Sequence, residues 1–205
     1  MKSFLRCIAF LAAISVTQGF LSVSLFPVSN GSSSPSSALS SSTMSDVAEV
    51  KVGDKIPSIT LMEGVGDFEK KEVDIAELIA GKKVAIFGVP GAFTPGCSKS
   101  HLPSFITAQS ELKEKGVDLT ICIATNDLYV MEAWGRESGG KDAGIVFLSD
   151  SNAELTKALG LLMDGGIMPR TKRFSLVADD GVVTHYFSSA EQASDTWAPA
   201  VLAKL

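Results

Sequence analysis

The chain has 205 residues, 45% of them hydrophobic and 20% charged, with a formal net charge of −5. Residues 46–205 hold all 23 acidic residues against 16 of the 18 basic ones, net −7; without a clustered positive surface to neutralise phosphates, nucleic acid is excluded as a partner. Three cysteines (Cys7, Cys97, Cys122) and two histidines (His101, His185) are too few and too scattered for a disulfide framework or a zinc centre.

Residues 1–19 open with Lys2 and Arg6, run apolar from Cys7 to Val16, and end in Thr17-Gln18-Gly19. This is the tripartite pattern of a secretory signal peptide, too short to be a permanent anchor. Residues 20–45 carry 13 Ser or Thr among 26, have no acid, and begin with Phe20-Leu21; such a stretch cannot offset the entropy of folding and is expected to be disordered. The two segments together resemble the bipartite plastid presequence of algae with secondary plastids. That resemblance implies a plastid protein whose mature domain, residues 46–205, has no membrane segment. Secretion with a linker, or a cytosolic form started at Met44, are the alternatives.

From Asp46 the texture becomes mixed and periodic. Ile56–Leu61 and Phe68–Val73 read as short strands joined at Glu63-Gly-Val-Gly66. Asp74 with Glu77 forms a capping box for a helix Ile75–Ala80 that Gly81 ends. Lys83–Val89 is a buried, β-branched strand. A Gly/Pro-rich turn follows, and a helix opens at Cys97, with Leu102, Phe105, Ile106 and Leu112 on its apolar side and Pro103 inside it as a bend. Val117–Thr125 is a second buried strand, and Asn126 or Asp127 caps a helix Leu128–Arg136. Then come a strand Ile145–Leu148, a helix Ala153–Leu159 ended by Gly160, and a strand Arg173–Ala178. A hairpin turn at Asp179-Asp-Gly181 leads into Val182–Phe187, and a last helix runs from about Thr196 to Lys204. This alternation predicts one α/β domain with a central mixed sheet flanked by helices, and a cysteine opening a helix after a central strand makes it thioredoxin-like.

That cysteine carries the chemistry. A helix N-terminus offers unpaired N–H groups and the positive end of the macrodipole, and both favour thiolate, the reactive form. The string Phe87-Gly-Val-Pro90-Gly-Ala-Phe-Thr94-Pro-Gly-Cys97-Ser-Lys-Ser-His-Leu-Pro103 resembles the peroxiredoxins, whose signature is Pro-x-x-x-Thr/Ser-x-x-Cys, and among them the type II, or type 5, plant-like subfamily. Ile121-Cys-Ile-Ala-Thr-Asn-Asp127, Glu132-Ala-Trp-Gly135 and Lys172-Arg-Phe-Ser-Leu-Val177 extend the match to nearly the whole domain.

The resemblance implies a thiol peroxidase that reduces hydrogen peroxide and organic hydroperoxides through a cysteine sulfenic acid, without metal or haem, and serves antioxidant defence. Cys97 would be the peroxidatic nucleophile, Thr94 would turn its hydroxyl to the peroxide or the thiolate, Pro90 would shield the sulfur from water, and Arg173 would reach it from a neighbouring strand. His101 reads instead as a hydrogen-bonded structural residue. Cys122 matches the second cysteine of the plant-like group and is either a resolving cysteine or a buried structural one. Resolution by Cys122 points to thioredoxin as reductant; otherwise glutaredoxin or glutathione reduces Cys97 directly, and the plant-like members lean that way. A homodimer is implied as well. A peroxide sensor that relays oxidation to a partner protein would use the same cysteine and is the alternative function.

Overall fold

Lys83–Gly88 (β3) lies inside a seven-stranded sheet, next to its middle strand, because nearly every one of its side chains is apolar, which suits a strand covered on both faces. The structure is a computed structural model that describes residues 47–66, 69–163 and 166–205. The proposed signal and Ser-rich segments, 1–19 and 20–45, lie outside the described residues. The other strands are β1 (Thr60–Gly64), β2 (Lys70–Asp74), β4 (Leu119–Ala124), β5 (Ile145–Ser149), β6 (Phe174–Asp179) and β7 (Val182–Ser188), in the order β2-β1-β5-β4-β3-β6-β7. β3, β4 and β5 run parallel, while β6 and β7 close one side as an antiparallel hairpin. This is the mixed, helix-flanked sheet of the thioredoxin-like class.

Alternation along β3 splits the core between two faces. Ala85 and Phe87 pack with Cys122 and Phe147 beneath α2 (Leu102–Glu114), α3 (Leu128–Glu137) and α5 (Ala198–Leu202). Val84 and Ile86 pack with Ile121 and Leu148 beneath α1 (Ile75–Ile79) and α4 (Glu154–Ala158). On the first face Phe87 stacks on Phe105 with ring centroids 4.2 Å apart.

Local chemistry sets the boundaries. Asp74 caps α1 by accepting from the Ala76 and Glu77 amides. Asp180 and Gly181 both take positive φ, 46° and 78°, and so make the tight β6–β7 turn. Some element bounds shift. The first strand begins at Thr60 rather than Ile56, and the second begins at Lys70 (Phe68 lies outside the described residues). The last helix divides into a 3₁₀ turn, Ala193–Thr196, and α5, because Trp197 between them is extended. Pro103 lies inside a helical run that is continuous from residue 95, as expected, and follows a π turn, Cys97–His101, that leads directly into α2.

Candidate active site

The Gly/Pro-rich segment after β3 leaves the sheet at the C-terminal ends of the parallel strands, where α/β sheets hold their ligands. Four hydrogen bonds fix it. Asn126 Oδ1 accepts from the Ala92 amide at 2.8 Å, and Arg170 Nη1 donates to the Pro90 carbonyl at 2.9 Å. The Thr94 hydroxyl donates to the Gly91 carbonyl at 2.8 Å, and the Thr94 carbonyl accepts from the Ser98 amide at 2.9 Å. Gly91 leaves room for this approach: a Cβ there would lie 2.7 Å from Arg170 Nη1, and the guanidinium would have to shift. Between Ala92 and Thr94, Phe93 is held at φ 60° with its ring half exposed, a strained backbone of the kind that clusters at functional sites.

Helical geometry begins at residue 95, so Cys97 lies in the first turn rather than at its first residue. The Leu102 amide reaches back to the Cys97 carbonyl, a five-residue closure that makes this turn π. Cys97 is fully buried, and Arg173 Nη2 donates to its sulfur at 3.3 Å. The register of β3 against β6 explains the meeting. Gly88 pairs with Phe174, so the residue before Phe174 comes level with the turn that follows β3.

Arg173 Nη1 lies 3.0 Å from His101 Nδ1, and His101 Nε2 lies 2.9 Å from the Thr196 carbonyl. Burial, aided by the Arg173 charge, pushes the His101 pKa down to about 3 against a smaller upward pull from Thr196. Trp134 Nε1 donates to Ser98 Oγ at 3.0 Å and anchors α3 to the residue after Cys97.

A cavity of about 370 Å³ borders Pro90 and Arg173. On its wall Glu49 accepts from Lys172 at 2.7 Å and from the Tyr186 hydroxyl at 2.5 Å. Burial pushes the Glu49 carboxyl up, but these two partners outweigh it and the net shift is downward.

The structure therefore brings Pro90, Thr94, Cys97 and Arg173 together. Cys122 lies within β4, paired with Phe87 on one side and Phe147 on the other, fully buried and free, as Cys97 is. Burial, with Cys97 adding to it, pushes the Cys122 thiol well above its ordinary range. The Thr94 proton is committed to Gly91, which leaves the oxygen's lone pairs to accept. Asn126 had been expected only as a possible helix cap. Asp127 takes that role, accepting from Tyr129 and Val130, and frees Asn126 for the cysteine turn. Among the described residues, no three His, Cys, Asp or Glu side chains gather into a metal-binding group.

A thioredoxin-like sheet that carries a buried cysteine in a helix's first turn, with a guanidinium donated to its sulfur, defines a thiol-redox protein. A family model described as Redoxin matches residues 51–202, and the chain belongs to that family, among the type II peroxiredoxins. It is 50% identical over 143 residues to peroxiredoxin-2E-2, chloroplastic, of Oryza sativa subsp. japonica, covering 67% of this chain and 64% of that one. To peroxiredoxin-2E, chloroplastic, of Arabidopsis thaliana it is 44% identical, covering 66% and 60%; the matched region thus spans less than two thirds of either relative. Among solved structures it is similar to reduced Prx3 of Vibrio vulnificus in complex with H2O2, with TM-score 0.70, 39% identity, and 76% of this chain and 95% of that one covered.

Proposed function

We propose that this protein is a cysteine-dependent peroxidase acting on hydrogen peroxide and small organic hydroperoxides, with Cys97 as the peroxidatic nucleophile. The observation that carries this reading is the 3.3 Å donation from Arg173 Nη2 to the Cys97 sulfur. The hydrogen peroxide bound by the Vibrio vulnificus relative supports the substrate class. The ionised sulfur attacks one peroxide oxygen; an S–O bond forms as the O–O bond breaks, and the sulfur is oxidised to a sulfenic acid. The bonding pair leaves on the second oxygen, which takes up a proton and departs as water or alcohol. Arg173, already in position, offsets the negative charge moving onto that oxygen. Thr94, its proton held by Gly91, accepts from the peroxide O–H, and Pro90 keeps bulk water from the sulfur.

Regeneration takes two thiols. The first attacks the sulfenic sulfur, forming a disulfide and releasing water; the second reduces that disulfide and frees Cys97. Burial pushes the Cys122 thiol well above its ordinary range, so little of it is thiolate ready to attack an oxidised Cys97; this favours glutaredoxin or glutathione over thioredoxin as the source of both thiols. The family suggests a homodimer, and the chloroplastic names of two relatives suggest a plastid. Steady-state peroxide consumption tests the reading: Cys97→Ser abolishes it, and normal turnover in that variant would refute the proposal. Cys122→Ser spares glutaredoxin-supported turnover; if Cys122 resolves after all, the same substitution abolishes turnover supported by thioredoxin.

A further inference from the structure

Arg173 presents two guanidinium nitrogens to two acceptors, Nη2 to the Cys97 sulfur and Nη1 to His101 Nδ1. A guanidinium only donates, so Nδ1 must be the bare nitrogen of the ring. On the other side Nε2 faces the Thr196 carbonyl at 2.9 Å, and a carbonyl only accepts, so Nε2 must carry the proton. Ser175 Oγ, 3.3 Å from Nε2, gives its own proton to the same carbonyl at 2.5 Å and so does not compete as a donor to the ring. Both contacts select one neutral tautomer.

The ring itself is held firmly. Its centroid lies 5.1 Å from that of Phe87 and 5.7 Å from that of Phe105, and no part of His101 is exposed. Cys97 and His101 also bound the same π turn, so the sulfur and the ring belong to one rigid piece of backbone. A guanidinium is planar, and fixing one of its nitrogens fixes the direction of the other.

We propose that His101 is a positioning residue for the peroxide reaction: its bare Nδ1 fixes the roll of the Arg173 guanidinium so that Nη2 faces the Cys97 sulfur. Thr196, in the 3₁₀ turn before α5, holds the ring and so ties the C-terminal segment to the site. This inference rests on the peroxidase reading above and adds to it a residue that need not touch the peroxide.

The test uses two amide replacements. The side-chain oxygen of Asn can take the place of Nδ1, whereas the Gln amide group reaches the place of Nε2. Stopped-flow oxidation of Cys97 by hydrogen peroxide should be about 10- to 100-fold slower in His101→Gln and within about threefold of wild type in His101→Asn. In an Arg173→Ala background, His101→Gln should cause no further slowing, because the ring acts through the arginine. Wild-type speed in His101→Gln, equal slowing in both variants, or the same loss without Arg173 would each overturn the inference. If neither variant folds, imidazole 15N shifts of the wild-type protein decide: a protonated Nε2 with a bare Nδ1 supports it, and a protonated Nδ1 overturns it. A slow wild type refutes the peroxidase reading along with this one, while a fast wild type and an indifferent His101→Gln refute the clamp alone.

Discussion

Gly88 and Phe174 face each other where β3 and β6 run antiparallel, and a Cβ on Gly88 would fall 2.0 Å from Phe174 Cε1. The aromatic ring fills the space a side chain would need, and the residue before that ring is Arg173. Gly88→Ala must therefore push the ring and the strand end together. Overpacking of this kind costs about 1–3 kcal/mol, to be read from urea unfolding. Oxidation of Cys97 by peroxide should also be slower in the folded fraction, because Arg173 moves with its neighbour. Unchanged stability would contradict the packing described.

Arg173→Lys keeps the positive charge but loses the planar fork that serves both Cys97 and His101. The expected result is a fall of about 10²–10³ in kcat/KM for peroxide, the size seen when a positioned donor to developing charge is removed. Circular dichroism should show the fold intact. Activity near wild type would mean that charge alone suffices.

The hydroxyl of Thr94 donates to Gly91 and can only accept from a substrate. Thr94→Ser preserves that arrangement and should stay within a few-fold of wild type. Thr94→Val keeps the shape without the oxygen; it should lose about 10-fold or more in kcat/KM, and the Gly91 carbonyl should lose its side-chain donor. Equal rates in the two variants would remove Thr94 from the mechanism.

His101 gives the domain an acid-sensitive window. Its folded-state pKa, about 3, lies below the ordinary 6.5, so the unfolded chain binds a proton first as pH falls. The stability tied to the neutral ring is fully present above pH 6.5 and drains away as pH drops toward 3. Urea midpoints measured across that range should fall more steeply for wild type than for His101→Asn. Parallel curves would contradict the buried neutral ring.

Much of the fold was legible because it is written in local chemistry. The apolar run of β3, the Asp74 cap and the Asp-Gly hairpin need only neighbouring residues to act. The cysteine turn was legible for the same reason, being one continuous string from Phe87 to Pro103. What escaped the sequence depends on contacts through space. Arg173 was assigned to Cys97 by the family resemblance alone, for the two are 76 residues apart and it is the β3–β6 register that brings them level. His101 gave no local sign that its two nitrogens serve Arg173 and Thr196. Asn126 looked like a cap because an Asx residue before a helix usually is one, yet its neighbour Asp127 takes the cap and the Asn126 amide turns to Ala92. The π turn escaped as well, since nothing in Cys97-Ser-Lys-Ser-His101 marks an extra residue in the helix. It ends at His101, two residues before Pro103, inside a helical run that is continuous from residue 95.

The most direct measurement follows a single turnover of the reduced protein with hydrogen peroxide. The indole of Trp134, bonded to Ser98 beside the reacting sulfur, is the fluorescent reporter, and mass spectrometry identifies the product. Oxidation should be orders of magnitude faster than that of free cysteine at the same pH, with one oxygen added at Cys97 and none at Cys122. A rate no greater than that of free cysteine, or oxygen found first on Cys122, would contradict the account.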